Sequence, residues 1–113
     1  MIEIYHNPRC RKSREGLAIL EHSGKEFKIV KYLDNIPSAK ELTEIILLLN
    51  ISPIQLVRKT EKIWKENHKG TEMSDLAIIK AMVAHPKLIE RPIVINGNKA
   101  VIGRPPENIE SIL

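Results

Sequence analysis

The chain has one cysteine, one tryptophan, one phenylalanine and two tyrosines among its 113 residues. A single thiol excludes an intramolecular disulfide framework. With only 4% aromatic residues, the interior has to be built mainly from Ile, Leu and Val. No run approaches the roughly 18 consecutive apolar residues that indicate a membrane span. The opening Met1-Ile2-Glu3-Ile4-Tyr5 lacks the basic start and long apolar stretch of a secretory leader. These absences lead us to expect a reducing, cytoplasmic setting with no membrane partner. The sequence shows no internal repeat, low-complexity segment or linker, and its length suits one domain over residues 1–113.

A composition of 42% hydrophobic and 28% charged residues is that of an ordinary globular protein. The formal charge is +4, but the lysines are spread along the chain rather than gathered in a block. That pattern reads as a solvated surface and argues against a nucleic-acid face. His6, His22, His68 and His85 have no metal-ligand spacing with one another or with Cys10, so neither a metal site nor a bound cofactor is expected.

Hydrophobic period gives the element order. Ile2 and Ile4 alternate with Glu3 and Tyr5 as a short strand. A helix follows Pro8, with Leu17, Ala18, Ile19 and Leu20 on its apolar face and Gly24 as its stop. Phe27–Leu33 reads as a second strand. Ser38 and Glu41 form a capping box before a helix whose face is Leu42, Ile45, Ile46 and Leu49, with Asn50 at its end. Ser52-Pro53-Ile54-Gln55 opens a further helix, expected to run to about Lys69. Another is expected from about Ser74 to Ala84, with Leu76, Ile79 and Val83 buried.

Pro92–Ile95 and Lys99–Ile102 then flank Asn96-Gly97, a dipeptide suited to a type I′ hairpin turn. Pro105 or Pro106 opens a short closing helix. The order β-α-β, helical middle, hairpin, helix predicts an α/β fold of thioredoxin-like type. Its four-stranded mixed sheet would carry helices on both faces.

Cys10 falls at the first strand-to-helix turn, where unpaired N–H groups and the helix dipole favour a thiolate. Arg9, Arg11, Lys12 and Arg14 surround it with positive charge. Ser13 stands where a second redox cysteine would be. It cannot resolve a mixed disulfide, so any redox cycle needs an external thiol such as glutathione. The Ser13 hydroxyl is either a donor to the Cys10 thiolate or a plain first-turn residue. His6 is either a base or imidazolium acting on Cys10, or a strand-end histidine bonded to backbone.

Ile4-Tyr5-His6-Asn7-Pro8-Arg9-Cys10 followed by Lys12-Ser13-Arg14 resembles the active-site signature of the glutaredoxin-linked arsenate reductases. The resemblance continues through Leu56-Val57-Arg58-Lys59, His85-Pro86, Arg91-Pro92-Ile93-Val94 and Gly103-Arg104-Pro105. It implies that Cys10 attacks arsenate and that Arg58, Arg91 and Arg104 hold the oxyanion. Glutathione would then act as co-substrate, and glutaredoxin as the partner that clears a Cys10–glutathione disulfide. Pro92 matches the proline that faces the cysteine in such folds, usually after a cis bond. If it is cis, the Arg91 carbonyl and N–H would be presented to a bound thiol compound.

Arg11 stands where the family has a small residue and adds charge to the anion site. Arg91→Ala is expected to weaken oxyanion binding with little effect on the Cys10 pKa. Two other readings share the fold. One is a general glutathione-dependent thiol oxidoreductase. The other is a non-enzymatic regulator akin to the related Spx proteins that bind RNA polymerase, although those typically carry a Cys-X-X-Cys switch.

Overall fold

The computed structural model describes residues 1–113, which form two compact units, residues 1–35 with 91–113 and residues 36–90. The first unit holds the whole sheet. Its strands are β1 (Ile2–Tyr5), β2 (Phe27–Val30), β3 (Ile93–Asn96) and β4 (Lys99–Ile102), in the order β2-β1-β3-β4. β1 runs parallel to β2, and the β1–β3 and β3–β4 pairs are antiparallel. This is the mixed sheet that the element order predicts.

Helix α1 (Arg11–Ser23) and a closing 3-10 helix (Pro106–Ile112) pack together in this unit. Ile2 and Ile4 alternate with half-buried Glu3 and Tyr5 and meet Leu20, Val94, Ile109 and Ile112 in one apolar cluster. α1 ends as expected, with Gly24 in the left-handed region at φ 72. β2 stops at Val30 rather than Leu33. Beyond it the backbone turns, with Asp34 and Asn35 N–H both donating to the Lys31 carbonyl, and Tyr32 is fully buried.

The hairpin turn is shifted by one residue from the expected position. Asn96 pairs with Lys99 as the last ladder position, so Gly97 and Asn98 are the central residues. Gly97 has φ 63 and Asn98 has no positive φ, which is the pattern of a II′ turn. Asn96 is held in the strand and donates its side-chain amide to the Ile112 carbonyl at 2.7 Å.

The second unit is helical. α2 (Ala39–Leu49) starts on the predicted Ser38–Glu41 capping box and ends at Asn50, φ 56. It buries Leu42, Ile45 and Ile46. The 3-10 turn Pro53–Leu56, α3 (Lys62–Asn67), α4 (Asp75–Ala84) and the 3-10 turn Pro86–Leu88 follow.

The continuous helix expected to Lys69 is instead broken at Val57–Glu61, and the reason lies in the backbone. Val57 bridges Ile89, Arg58 N–H donates to the Leu88 carbonyl at 2.7 Å, and Glu90 N–H donates to the Leu56 carbonyl at 2.8 Å. These strand-like bonds use groups that a helix would have paired internally. On α4 the buried residues are Ile78, Ile79, Ala81 and Met82, whereas Leu76 is exposed and Val83 half-buried. This helix is apolar around most of its circumference, so period alone finds Ile79 but misplaces the rest of the face. No helix in either unit is long and apolar enough to cross a membrane.

Candidate active site around Cys10

The turn after β1 is built by short polar contacts. Cys10 N–H donates to the Asn7 carbonyl at 3.0 Å, Arg9 N–H to Asn7 Oδ1 at 3.0 Å, and Arg14 Nη1 to the Pro8 carbonyl at 3.0 Å. The turn delivers Cys10 as the N-cap residue of α1 in an extended conformation. There the sulfur stands in the place of a capping oxygen.

The Cys10 side chain forms no regular cap hydrogen bond, yet the backbone N–H of Ser13 faces it closely enough to favour the thiolate. Arg104 Nη2 lies 3.4 Å from the sulfur. The guanidinium of Arg104 is steered there by its Nε, which donates to the Arg91 carbonyl at 2.9 Å. Burial, the largest single influence, pushes the Cys10 thiol up. The Ser13 N–H, a hydrogen bond and charge from Arg91, and the charge of Arg104 pull it down and prevail. The net direction is below the ordinary thiol value of 9.0.

Several expectations change here. The Ser13 hydroxyl does not serve the thiolate. It is fully buried, accepts from Asn7 N–H at 3.0 Å and sits 2.7 Å from His6 Nδ1. One hydroxyl proton and two lone pairs allow both contacts. His6 is held below its ordinary value, chiefly by burial, with the Lys31 and Arg14 charges adding to this and the Ser13 hydrogen bond opposing it. It therefore stays neutral near pH 7 and is not the imidazolium that one reading offered.

The bond before Pro92 is cis, and so is the bond between Arg104 and Pro105. The Arg91 carbonyl accepts from Arg104 Nε at 2.9 Å, which uses one of its two lone pairs. Arg91 lowers the Cys10 pKa through a hydrogen bond and its charge, so Arg91→Ala is now expected to raise it rather than leave it little changed. Arg11 does not crowd the sulfur. Its side chain is 84% exposed and pairs with Glu15 one turn along the helix at 3.1 Å.

Cys10, Arg91 and Arg104 thus come together within the first unit. Arg58 belongs to the second, where its backbone is fixed by Leu88 and its Nε lies 3.9 Å from Glu90 Oε1. Sequence reasoning pointed to the amides at the helix start without singling out that of Ser13, and it missed the structural part played by Asn7. The capping position of Cys10, three residues ahead of Ser13, was the available signal for the first. No group of three or more His, Cys, Asp and Glu side chains is placed to hold a metal ion.

The ArsC family profile matches residues 5–112. An arsenate reductase of Haemophilus influenzae is 46% identical over 112 residues, covering 97% of each chain. One of Neisseria meningitidis is 41% identical, covering 99% of this chain and 97% of its own. Among solved structures, an arsenate reductase from Vibrio cholerae superposes with a TM-score of 0.94 at 45% identity, over 99% of this chain and 97% of that one. With the profile covering nearly the whole chain and full-length relatives above 40% identity, the chain belongs to the ArsC family.

Proposed function

We propose that this protein is an arsenate reductase that uses Cys10 as its nucleophile. The approach of Arg104 Nη2 to the sole thiol at 3.4 Å carries the reading, because it puts a guanidinium fork where an oxyanion attacked by that sulfur would sit. Arg91 is the second anion ligand, and the open amides at the start of α1 add donors. Arg58 is the third arginine on the strength of the family resemblance. Arsenate near neutral pH is largely dianionic, which suits guanidinium ligands.

In the first step Cys10 thiolate attacks arsenic and a hydroxide leaves as water after protonation, giving a thiol-arsenate adduct. Glutathione thiolate then attacks Cys10 Sγ. A sulfur–sulfur bond forms, the sulfur–arsenic bond breaks, and its electron pair stays on arsenic. As(V) becomes As(III) and leaves as arsenite. The Cys10–glutathione disulfide is cleared by glutaredoxin, since Ser13 offers no resolving thiol. No cofactor is bound in this scheme, and glutathione is a co-substrate. The requirement for a glutathione pool places the reaction in the cytoplasm, in one domain comprising both units.

The test is arsenate-dependent NADPH consumption in a coupled mixture of protein, glutathione, glutaredoxin and its recycling system. We expect turnover that disappears in Cys10→Ser. Arg91→Ala should raise KM for arsenate about tenfold to hundredfold, as loss of a charged hydrogen bond implies, and should also raise the pH at which Cys10 ionises. Arg58→Ala should raise KM and leave that ionisation unmoved. Activity confined to a glutathione mixed disulfide, with none on arsenate, would identify a general thiol oxidoreductase and overturn the proposal.

A further inference from the structure

Gly16 lies inside α1, and Gly103 immediately precedes Arg104. Neither has a φ in the left-handed region, so the backbone does not require glycine at either place. Gly16 is moreover a poor choice for a helix interior, costing about 1 kcal/mol against alanine.

Space explains both residues. A Cβ at Gly16 would lie 2.8 Å from Pro92 Cγ and 2.9 Å from Ile109 Cδ1. A Cβ at Gly103 would lie 2.8 Å from the same Pro92 Cγ and 3.1 Å from the same Ile109 Cδ1. Both glycines therefore grip the same Pro92 ring carbon, and either would collide with it if it carried a side chain. Gly103 N–H also donates to the Pro92 carbonyl at 2.8 Å.

The grip joins three parts of the thiol site. α1 carries Cys10 at its N-cap, Pro92 directly follows Arg91, and Gly103 directly precedes Arg104. We propose that Gly16 and Gly103 are positioning residues for Cys10. Their missing side chains set the depth at which Pro92 seats, and so hold Arg91 and Arg104 on the sulfur. The proposal rests on the reading of Cys10 as a nucleophilic thiolate. A methyl at either position cannot be absorbed by the Ile109 terminus alone, because the closed proline ring has no free end to rotate away. Restoring ordinary carbon contact demands a displacement of about 0.7 Å. A shift of that size would disturb both the 2.9 Å bond that steers Arg104 and its 3.4 Å approach to Cys10.

The experiment measures the full chain without arsenate or glutathione. Cys10 alkylation by iodoacetamide is followed against pH, and thermal midpoints are recorded in parallel. The unsubstituted protein should titrate below an ordinary thiol. Gly16→Ala and Gly103→Ala should each raise the alkylation midpoint by roughly half a pH unit or more, about a threefold loss of thiolate at lower pH. Ile109→Val removes a methyl from the same cluster and should lower the thermal midpoint while leaving the titration in place. A glycine variant that folds and titrates like the parent overturns the proposal, whatever its thermal midpoint.

Pro92→Ala empties the grip instead of crowding it, and so decides the matter if neither alanine variant folds. A raised midpoint supports the proposal and an unchanged one overturns it. A parent protein that titrates like a free thiol would instead sink the reading of Cys10 as an activated nucleophile.

Discussion

The interiors of the two units differ in kind. The buried His6, Asn7 and Ser13 belong to the first unit, as does the fully buried phenol of Tyr32. The first three are hydrogen-bonded to one another and to the turn: Ser13 Oγ meets Asn7 N–H and His6 Nδ1, and Asn7 Oδ1 meets Arg9 N–H. The buried side chains of the second unit are hydrophobic, among them Leu42, Ile45, Leu56 and Met82, and the indole of Trp64 is the one that carries a polar group. Burying a polar group costs free energy unless its hydrogen bonds are remade. A partly satisfied network would be worse than an apolar core. The concentration of such groups beneath the Cys10 turn therefore marks where conformation has to be exact enough to hold a sulfur near its donors. The second unit is stabilised by shape and area, and its interior carries no comparable demand.

The largest expected effect tests whether that division is real. Leu42 is fully buried on α2, so Leu42→Ala should cost about 2–5 kcal/mol of stability by lost transfer and cavity terms. Denaturant unfolding measures the cost. In the folded variant, the pH midpoint of Cys10 alkylation should match that of the parent. A midpoint that rises with the loss of Leu42 would break the comparison, because the helical core would then be shaping the thiol.

A smaller effect comes from the buried polar cluster itself. Burial holds His6 below the ordinary imidazole value of 6.5 in the folded protein, whereas the unfolded chain titrates at that value. Between the two values the unfolded state binds more protons, so stability rises with pH there. The contribution of neutral His6 is complete above pH 6.5 and is lost as pH falls towards the lower folded value. Urea midpoints measured from pH 8 downwards should therefore show an acid-side decline that His6→Gln flattens. An identical decline in the variant would assign the acid limb to other groups.

How far the sequence was legible follows the same division. In the first unit, alternation at Ile2 and Ile4, the lone thiol after a proline-bounded turn, and the hairpin prolines and glycine fixed the sheet and the place of Cys10. In the second, capping chemistry placed both ends of α2, and the span expected from about Ser74 matched the start of α4. The break at Val57–Glu61 was hidden, because it is made by long-range backbone bonds to Leu88 and from Glu90. Most of the buried face of α4 was hidden too, since an almost wholly apolar helix carries no phase.

At the site, Arg91 and Arg104 entered through family resemblance, and no local pattern singles out either one. The use of the Arg91 carbonyl as a rest for Arg104 is a tertiary contact between residues 13 apart in sequence. Ser13 was recognised as an important position, but for its hydroxyl. The hydroxyl turns inward and the amide faces the sulfur, an orientation set by the start of α1 and not by residue type.

The smallest expected effect concerns Arg11, the residue whose place directly after Cys10 adds charge to the anion site on sequence grounds. Its guanidinium is exposed and tied to Glu15, and it does not figure among the groups that lower the Cys10 thiol. A solvated i,i+4 pair contributes no more than about 0.5 kcal/mol. Arg11→Ser should therefore leave thermal stability almost unchanged, and KM for arsenate should stay within about twofold of the parent, since an exposed charge is screened by salt. Measuring KM at low and moderate ionic strength sharpens the point. A large KM change at both would mean that Arg11 leaves Glu15 to reach the anion. A change confined to low salt would make it a distant steering charge. No change at either leaves Arg91 and Arg104, which act at the sulfur, as the arginines of the first unit that matter to the reaction.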